Sequence, residues 1–421
     1  MTDNNYINSF IRSFNKLKLR IQNRGDISCC INQRFNNNTT FLMNLCINEI
    51  KIEYIKYVVE NGANINDLDD QGDNALIYSC AKGYLKSVRY LVENGAHINY
   101  VNKKKMNALM YASYFGKLEC ITYLVKKGSK LNYQDDDGST PLILATSEGH
   151  LECVKYLHKN GADINHVDND GRTALMNAFE NENLDCVKYL HKNNSDLNHV
   201  DNYGDTPLIL AIINKKLESL KYLLQNEADI HFEDNSGHTA LILASVTGNL
   251  ECLQYLIKNG ANINDLNDDG NTGLILASRF GKFECVKYLV ENRANINHLN
   301  NDGYNALMYA SKNGHLKCVK YLFKNRACIH CENNNGNTAL IIANKNGNLK
   351  CVKYLLKNGA DIDHINNYGN NALMYASNYS NLECVKHLLE NGADINHVNN
   401  DGKKVIHLTR SKEIKKLILG Y

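Results

Sequence analysis

The chain has 421 residues, of which 43% are hydrophobic and 22% charged, so it carries enough apolar material for a packed core and is not a disordered chain. Lys and Arg number 47 against 45 Asp and Glu, and the resulting net charge of +2 does not indicate nucleic acid or a membrane surface as the partner. Two prolines exclude a Pro-rich linker between domains, and no apolar run approaches the ~18 residues of a membrane span.

The N-terminal segment, residues 1–35, is basic, with six Lys or Arg and two Asp. Within it, residues 6–23 have the spacing of an amphipathic helix, so we expect a divergent N-terminal cap. The segment lacks the basic-then-apolar order of a signal peptide, which predicts a cytoplasmic or nucleocytoplasmic protein. We also expect the chain to be monomeric.

A 33-residue period dominates the rest of the chain. Glycine recurs at this step from Gly72 to Gly402, and only Lys105 interrupts the series. One clear unit runs from Asp135 to Val167 and reads DDDGSTPLILATSEGHLECVKYLHKNGADINHV. A fixed period of this length indicates stacked copies of one supersecondary unit.

Each unit begins with a turn and a short first helix. In the unit above, Gly138 suits a turn that needs a positive φ. Thr140 stands where a helix N-cap belongs, with Pro141 at the first helical position. The first helix is predicted to bury an apolar stripe that includes Leu142 and Leu144.

A second helix and an extended arm complete the unit. Leu151, Val154 and Leu157 have helical spacing, and Gly161 follows where a left-handed residue ends a helix. The residues up to Val167 then run extended to the next turn. The repeat is therefore turn, helix, turn, helix, extended arm.

The period and the pattern G-x-T-P-L-x-x-A…G-H-L-x-x-V-x-x-L…G-A-D-I-N resemble the ankyrin repeat. The resemblance implies an all-α fold, an α-solenoid of about eleven ankyrin-type helix-turn-helix repeats with short hairpin-like arms. It places the array at residues 36–402 and a C-terminal cap at 403–421. The Asn-, Lys- and Ile-rich sequence is also similar to the large ankyrin families of amoebae and giant DNA viruses.

The chain departs from the family pattern at three positions of the repeat. Ile or Met, as at Ile143, replaces the His that usually follows T-P-L, so apolar packing is expected in place of a hydrogen bond. A Tyr column on the second helix and a Cys column are predicted to pack in or beside the core. The Cys column comprises Cys120, Cys153, Cys186, Cys252, Cys285, Cys318, Cys351 and Cys384.

Several units lack a glycine that the pattern places in the left-handed region. The stretch 169–234 lacks four of them, at Glu182, Asn194, Lys215 and Glu227. Because a non-glycine residue in the left-handed region destabilises the fold by about 1–2 kcal/mol, we expect this stretch to be the least stable part of the array.

No catalytic constellation emerges from the sequence, and we expect no cofactor and no metal. The one cluster with metal-ligand residue types is Cys328, His330 and Cys331. It lies on one arm, and residues in the same phase of stacked units are about 8–10 Å apart, too far to share a zinc ion. A histidine at the start of five arms, such as His166, is interpreted as a repeated consensus residue or as a pH sensor.

Ankyrin-type arrays bind proteins through turn tips and first helices that line a concave face, so the resemblance implies a non-enzymatic interaction scaffold. Variable positions on that face combine aromatic and cationic residues in two clusters, a composition favoured at interface hot spots. The first cluster is Lys103, Lys104, Met106, Tyr114 and Phe115. The second is Arg279, Phe280, Tyr304 and Lys312, with Tyr203, Tyr368 and Tyr379 as further candidates.

Two other functions remain open at this stage. A host-directed adaptor would link a bound protein to a second machine such as a ubiquitin ligase, and only residues 1–35 offer a second contact surface. A nucleic-acid binder would use the basic ends, since residues 403–421 carry six basic residues and one acidic residue.

Overall fold

The structure is a computed structural model that describes Leu19, Ile31, residues 33–48 and residues 50–421. The described residues form 24 α-helices and one 3-10 turn, with no strand among them. Contacts divide the chain into two compact units, Met1–Pro207 and Leu208–Tyr421. The predicted all-α repeat fold is confirmed. The N-terminal cap predicted at 1–35 lies largely outside the described residues.

In the first unit, helices follow one another in pairs, and we call the first helix of each pair inner and the second outer. The pairs are α1 (Phe41–Ile47) with α2 (Ile52–Glu60), α3 (Ala75–Lys82) with α4 (Leu85–Glu93), α5 (Ala108–Tyr114) with α6 (Leu118–Lys126), α7 (Pro141–Ser147) with α8 (Leu151–Lys159), and α9 (Ala174–Glu180) with α10 (Leu184–Lys192).

The second unit continues the pattern, and its boundary falls at the first residue of α11. Its pairs are α11 (Pro207–Ile213) with α12 (Leu217–Gln225), α13 (Ala240–Thr247) with α14 (Leu250–Lys258), α15 (Gly273–Arg279) with α16 (Phe283–Glu291), α17 (Ala306–Lys312) with α18 (Leu316–Lys324), α19 (Ala339–Lys345) with α20 (Leu349–Lys357), α21 (Ala372–Asn378) with α22 (Leu382–Glu390), and α23 (Val405–Leu408) with α24 (Lys412–Leu419).

Most inner helices begin at a side-chain cap, as the sequence predicts, but α13 and α19 have no side-chain cap hydrogen bond. Thr140 Oγ1 accepts the backbone N–H of Ile143 at 3.4 Å, with Pro141 at the first helical position. Where Asn replaces Thr the bond is shorter, since Asn74 Oδ1 accepts the N–H of Ile77 at 2.9 Å. Each cap satisfies one of the backbone donors that a helix N-terminus leaves free.

The outer helices from α2 to α22 are followed by a residue in the left-handed region. Gly161 has φ +98°, and a Cβ added there would meet nothing within 4 Å. Non-glycine residues take the same conformation where the pattern lacks glycine, with φ 65° at Glu227 and 67° at Arg326. Glycine is therefore favoured at this position by the backbone conformation and not by a lack of room for a side chain.

The arms are tight turns, and four of them are closed by a single isolated bridge in the described part of the chain. Asp135 Oδ1 accepts the backbone N–H groups of Asp137 and Ser139 at 3.0 and 2.8 Å, which folds the turn on itself. An isolated antiparallel bridge then joins Val167 to Thr173 in the following unit. These contacts give the hairpin-like arms that the repeat pattern implies.

The core lies between the inner and outer helices of each pair and continues between neighbouring inner helices within each unit. Leu142, Ile143 and Leu157 are almost completely buried, and each contributes about 1.5–3 kcal/mol by leaving water. Ile143 confirms that an apolar residue packs where the family usually has His. Leu144, predicted in the apolar stripe, is instead half-buried and faces a surface groove.

Candidate functional site

An open groove of about 550 Å³ crosses the inner-helix face of the first unit between α5 and α7. Four of the five residues of the first predicted cluster line it: Lys104, Met106, Tyr114 and Phe115. The rest of the lining comes from Tyr111, Asp135, Asp136, Asp137 and Leu144. The structure therefore brings most of this cluster together, and it adds an acidic border that sequence reasoning missed.

Lys103 is the member of the first cluster that lies elsewhere. Its Nζ donates to the carbonyl of Asp70 at 2.7 Å, and its backbone N–H donates to the carbonyl of Gln71 at 3.1 Å. Lys103 thus links one turn to the turn before it. Lys104, the next residue, is the cation that borders the groove.

The wall of the groove is aromatic. The rings of Tyr114 and Phe115 meet edge to face at 5.0 Å, and Phe115 stacks beside Tyr111 at 6.5 Å. Tyr114 and Phe115 remain 39% and 45% exposed and lie side by side, so they form a contiguous apolar patch. Burial, together with the Asp73 carboxylate, raises the pKa of Tyr111 to about 12, so this phenol stays protonated.

The acidic border is partly neutralised. Lys105 Nζ lies 3.1 Å from Asp136 Oδ1 in an exposed ion pair. Burial raises the pKa of Asp135, whose Oδ1 accepts the two turn N–H groups described above. Polar groups at the border and rings along the wall give a groove that suits an amphipathic segment of a partner.

The second predicted cluster is assembled around a ring that the sequence analysis missed, Tyr309. Arg279 lies over this ring at 5.5 Å, and Tyr304 packs against it with the ring centres 4.9 Å apart. Lys312 lies 5.4 Å from the centre of Tyr304 and 5.8 Å from that of Tyr309. Tyr304 is half-buried and Tyr309 is only 7% exposed, so Phe280, 47% exposed, is the most accessible ring of the cluster.

The same arrangement continues two inner helices further along the second unit. Lys345 lies over the rings of Tyr375 and Tyr379 at 5.7 and 5.5 Å, and these two rings stack 6.5 Å apart. Lys345 follows Lys312 by one 33-residue period, which is the signal in the sequence that could have identified it. Tyr379, a predicted candidate, is 51% exposed.

Tyr203 and Tyr368 lie at turn tips. The Tyr203 hydroxyl donates to Asp170 Oδ1 at 2.9 Å, and that of Tyr368 donates to Asn335 Oδ1 at 3.3 Å. Each tyrosine thus contacts the tip one unit earlier. Both rings remain more than half exposed, so a partner at the tips could still contact them.

The arm histidines join neighbouring units. In five units the Nε2–H donates to the carbonyl of a turn glycine 28 residues earlier, at 2.7–3.2 Å. The histidines are His166, His199, His298, His364 and His397. This position is therefore a repeated structural contact between an arm and the preceding turn.

Cys331 occupies the position of that histidine in its own unit. Cys328 and Cys331 are half-buried free thiols, and burial raises the pKa of Cys331 to about 12. Within the described part of the chain, no three His, Cys, Asp or Glu side chains are grouped so that they could hold a metal ion. None of the helices described is long and apolar enough to cross a membrane.

The family model for ankyrin repeats (3 copies) matches residues 10–102, 97–168, 158–234, 195–267, 259–333 and 325–399. The chain belongs to the ankyrin-repeat family. Ankyrin repeats are generally protein–protein interaction modules. Several exposed aromatic and cationic residues of the array lie on the turn tips and inner helices named above.

Two further comparisons bear on the ankyrin array. No curated protein matches its sequence. Among solved structures, the human ASB11 ankyrin repeat domain is 29% identical and superposes with a TM-score of 0.48. The match covers 51% of this chain and 97% of the ASB11 chain.

Proposed function

We propose that this ankyrin array is a non-enzymatic scaffold that binds a protein partner on its inner-helix face. The observation that carries the proposal is the groove in which Lys104, Met106, Tyr114 and Phe115 converge. Exposed aromatic rings at the centre of a groove with polar borders have the composition of an interface hot spot.

Preorganisation supports the same proposal. The groove lies between helices whose N-caps and turns form hydrogen bonds within the repeat, so few backbone angles need to be ordered when a partner binds. Lower ordering entropy leaves more of the contact energy available as affinity. The twelve described cysteines that are free thiols are typical of a reducing compartment, so we place this activity in the cytoplasm or nucleus.

The double variant Tyr114→Ala, Phe115→Ala tests the groove. We expect a protein captured by the full chain to bind the variant at least about tenfold more weakly, since hot-spot aromatics contribute 2 kcal/mol or more each. The measurement is affinity capture followed by titration of the recovered protein.

Tyr156→Ala is the matched control, because Tyr156 is a half-buried ring on the outer helix α8. It should leave capture unchanged. Helix content and unfolding midpoint are compared for all chains, so that loss of the fold is not read as loss of binding. Equal capture by the wild type and a folded double variant would show that the groove is not the binding site.

A further inference from the structure

Three exposed cations occupy the same position of three successive repeats. Arg279 ends α15, Lys312 ends α17 and Lys345 ends α19, each 33 residues after the last. In the part of the chain that the structure describes, none of the three forms an ion pair, whereas Lys155 and Lys386 on outer helices are paired with glutamates. The three form a row of uncompensated positive charge on the inner-helix face.

The surface around this row has no acidic residue on its helices. The inner helices α15, α17, α19 and α21 contain neither Asp nor Glu, while α9 in the first unit ends with Glu180. Acidic residues occur on the neighbouring turn tips, at Asp269 and Asp302, and on the outer helix α16, at Glu284. The face of α15 to α21 therefore attracts negative charge.

The rings beneath the row hold the cations in position. Arg279 lies over Tyr309, Lys312 borders Tyr304 and Tyr309, and Lys345 lies over Tyr375. Such contacts contribute about 0.5–1 kcal/mol each at exposed sites, enough to favour one direction for a long side chain. The charged ends of the three side chains therefore follow the spacing between neighbouring inner helices.

We propose that this row binds an acidic peptide segment whose carboxylates recur at every third residue, in the polyproline II conformation. Neighbouring packed helices are about 8–10 Å apart. A polyproline II chain has three residues per turn and a rise of 3.1 Å per residue, so positions i, i+3 and i+6 share one face about 9 Å apart. The inference rests on the proposed function and names the kind of segment that a partner would present here.

A single-stranded nucleic acid is the other polyanion to consider, and the structure favours the peptide. Base stacking needs a series of free ring faces, and although Phe280 and Tyr379 are exposed, Tyr309 is only 7% exposed and lies beneath two cations. Carboxylates at the tips, Asp269 and Asp302, would repel a continuous phosphate backbone that passes across them. A peptide with separated carboxylates avoids both difficulties.

The test uses the full chain and a fluorescein-labelled peptide of sequence (Glu-Pro-Pro)₃, with binding followed by fluorescence anisotropy at low and high salt. A peptide with the same composition but three consecutive glutamates is the spacing control. The variant Arg279→Gln, Lys312→Gln, Lys345→Gln removes the row. The variant Lys287→Gln, Lys320→Gln, Lys353→Gln is its matched control, because these exposed outer-helix lysines have the same 33-residue spacing and the same total charge.

We expect the spaced peptide to bind more tightly than the clustered one, and at least about fivefold more weakly to the row variant than to the control variant. Added salt should weaken the binding. Equal affinities for the two peptides, equal losses in the two variants, or tighter binding of oligo(dT) would overturn the proposal. If the row variant still captured a partner through the groove, the proposed function would be upheld whatever the result with the peptides. Failure of the proposed function and failure of this inference can therefore be told apart.

Discussion

Asparagine side chains satisfy backbone groups at recurring positions of the repeat. Asn160 Nδ2 donates to the carbonyl of Tyr156 at 2.7 Å and so caps the end of an outer helix. Asn334 Nδ2 reaches the carbonyl of Asn301 in the preceding turn tip at 2.8 Å. Asparagine at these positions thus has a structural use, because one residue type provides caps and links between units.

The non-glycine residues in the left-handed region give a prediction at single positions. Arg326→Gly should raise the free energy of unfolding by about 0.5–1 kcal/mol, because relief of backbone strain exceeds the added entropy of the unfolded chain. Urea unfolding measures the change. Asn194→Gly is the control and should gain less, since asparagine tolerates this conformation. A lower midpoint for Arg326→Gly would contradict the prediction.

At the scale of helices, neighbouring repeats are joined by side chains that complete each other's helix ends. Asn348 at the start of α20 donates to the carbonyls of Ser311 and Lys312 at 2.9 and 2.7 Å. His315 in the same position of the preceding repeat donates to the carbonyl of Arg279 at 3.1 Å. Because these bonds reach only the next repeat, a local defect is expected to have local effects.

The stretch 169–234 should therefore open before the rest of the array. Glu182, Asn194, Lys215 and Glu227 all have φ between 57° and 67°, so strain is concentrated there as the sequence predicts. The boundary between the two compact units also falls inside this stretch. Amide hydrogen exchange should show faster exchange in the helices of 169–234 than in those of 297–361, and uniform protection would disprove the prediction.

At the scale of the whole chain, the Cys column adds a pH dependence to stability. Its eight thiols are buried in the folded protein, and burial raises the pKa of each from 9.0 to about 11. Between these values the unfolded chain loses thiol protons that the folded chain keeps. The free energy of unfolding should therefore fall as the pH rises from about 9 to about 11.

Urea unfolding at pH 8 and pH 10.5 checks this dependence. A variant with alanine at Cys285, Cys318, Cys351 and Cys384 should be less stable at both values, because it leaves cavities. The difference between the two pH values should nevertheless be smaller than in the wild type. If the variant showed the same difference in stability between the two pH values as the wild type, the pH dependence would arise from other groups, such as the half-buried tyrosines.

The sequence by itself determined the repeat. The period, the Thr140 cap, the left-handed closure at Gly161 and the burial of the Cys column all follow from local backbone preferences and apolar spacing, which recur with substitutions along the array. The candidate clusters could also be found from the sequence, since aromatic residues at variable positions of the repeat depart from its consensus.

Only the tertiary structure decided which of those residues meet. Lys103 points to the preceding turn and Lys104 to the groove, although the two are adjacent. Tyr309, which the sequence analysis did not single out, is the ring that lies beneath Arg279 of the preceding repeat. The reason is that such contacts join residues about one period apart, and their distances depend on how one repeat packs on the next rather than on the local sequence of either.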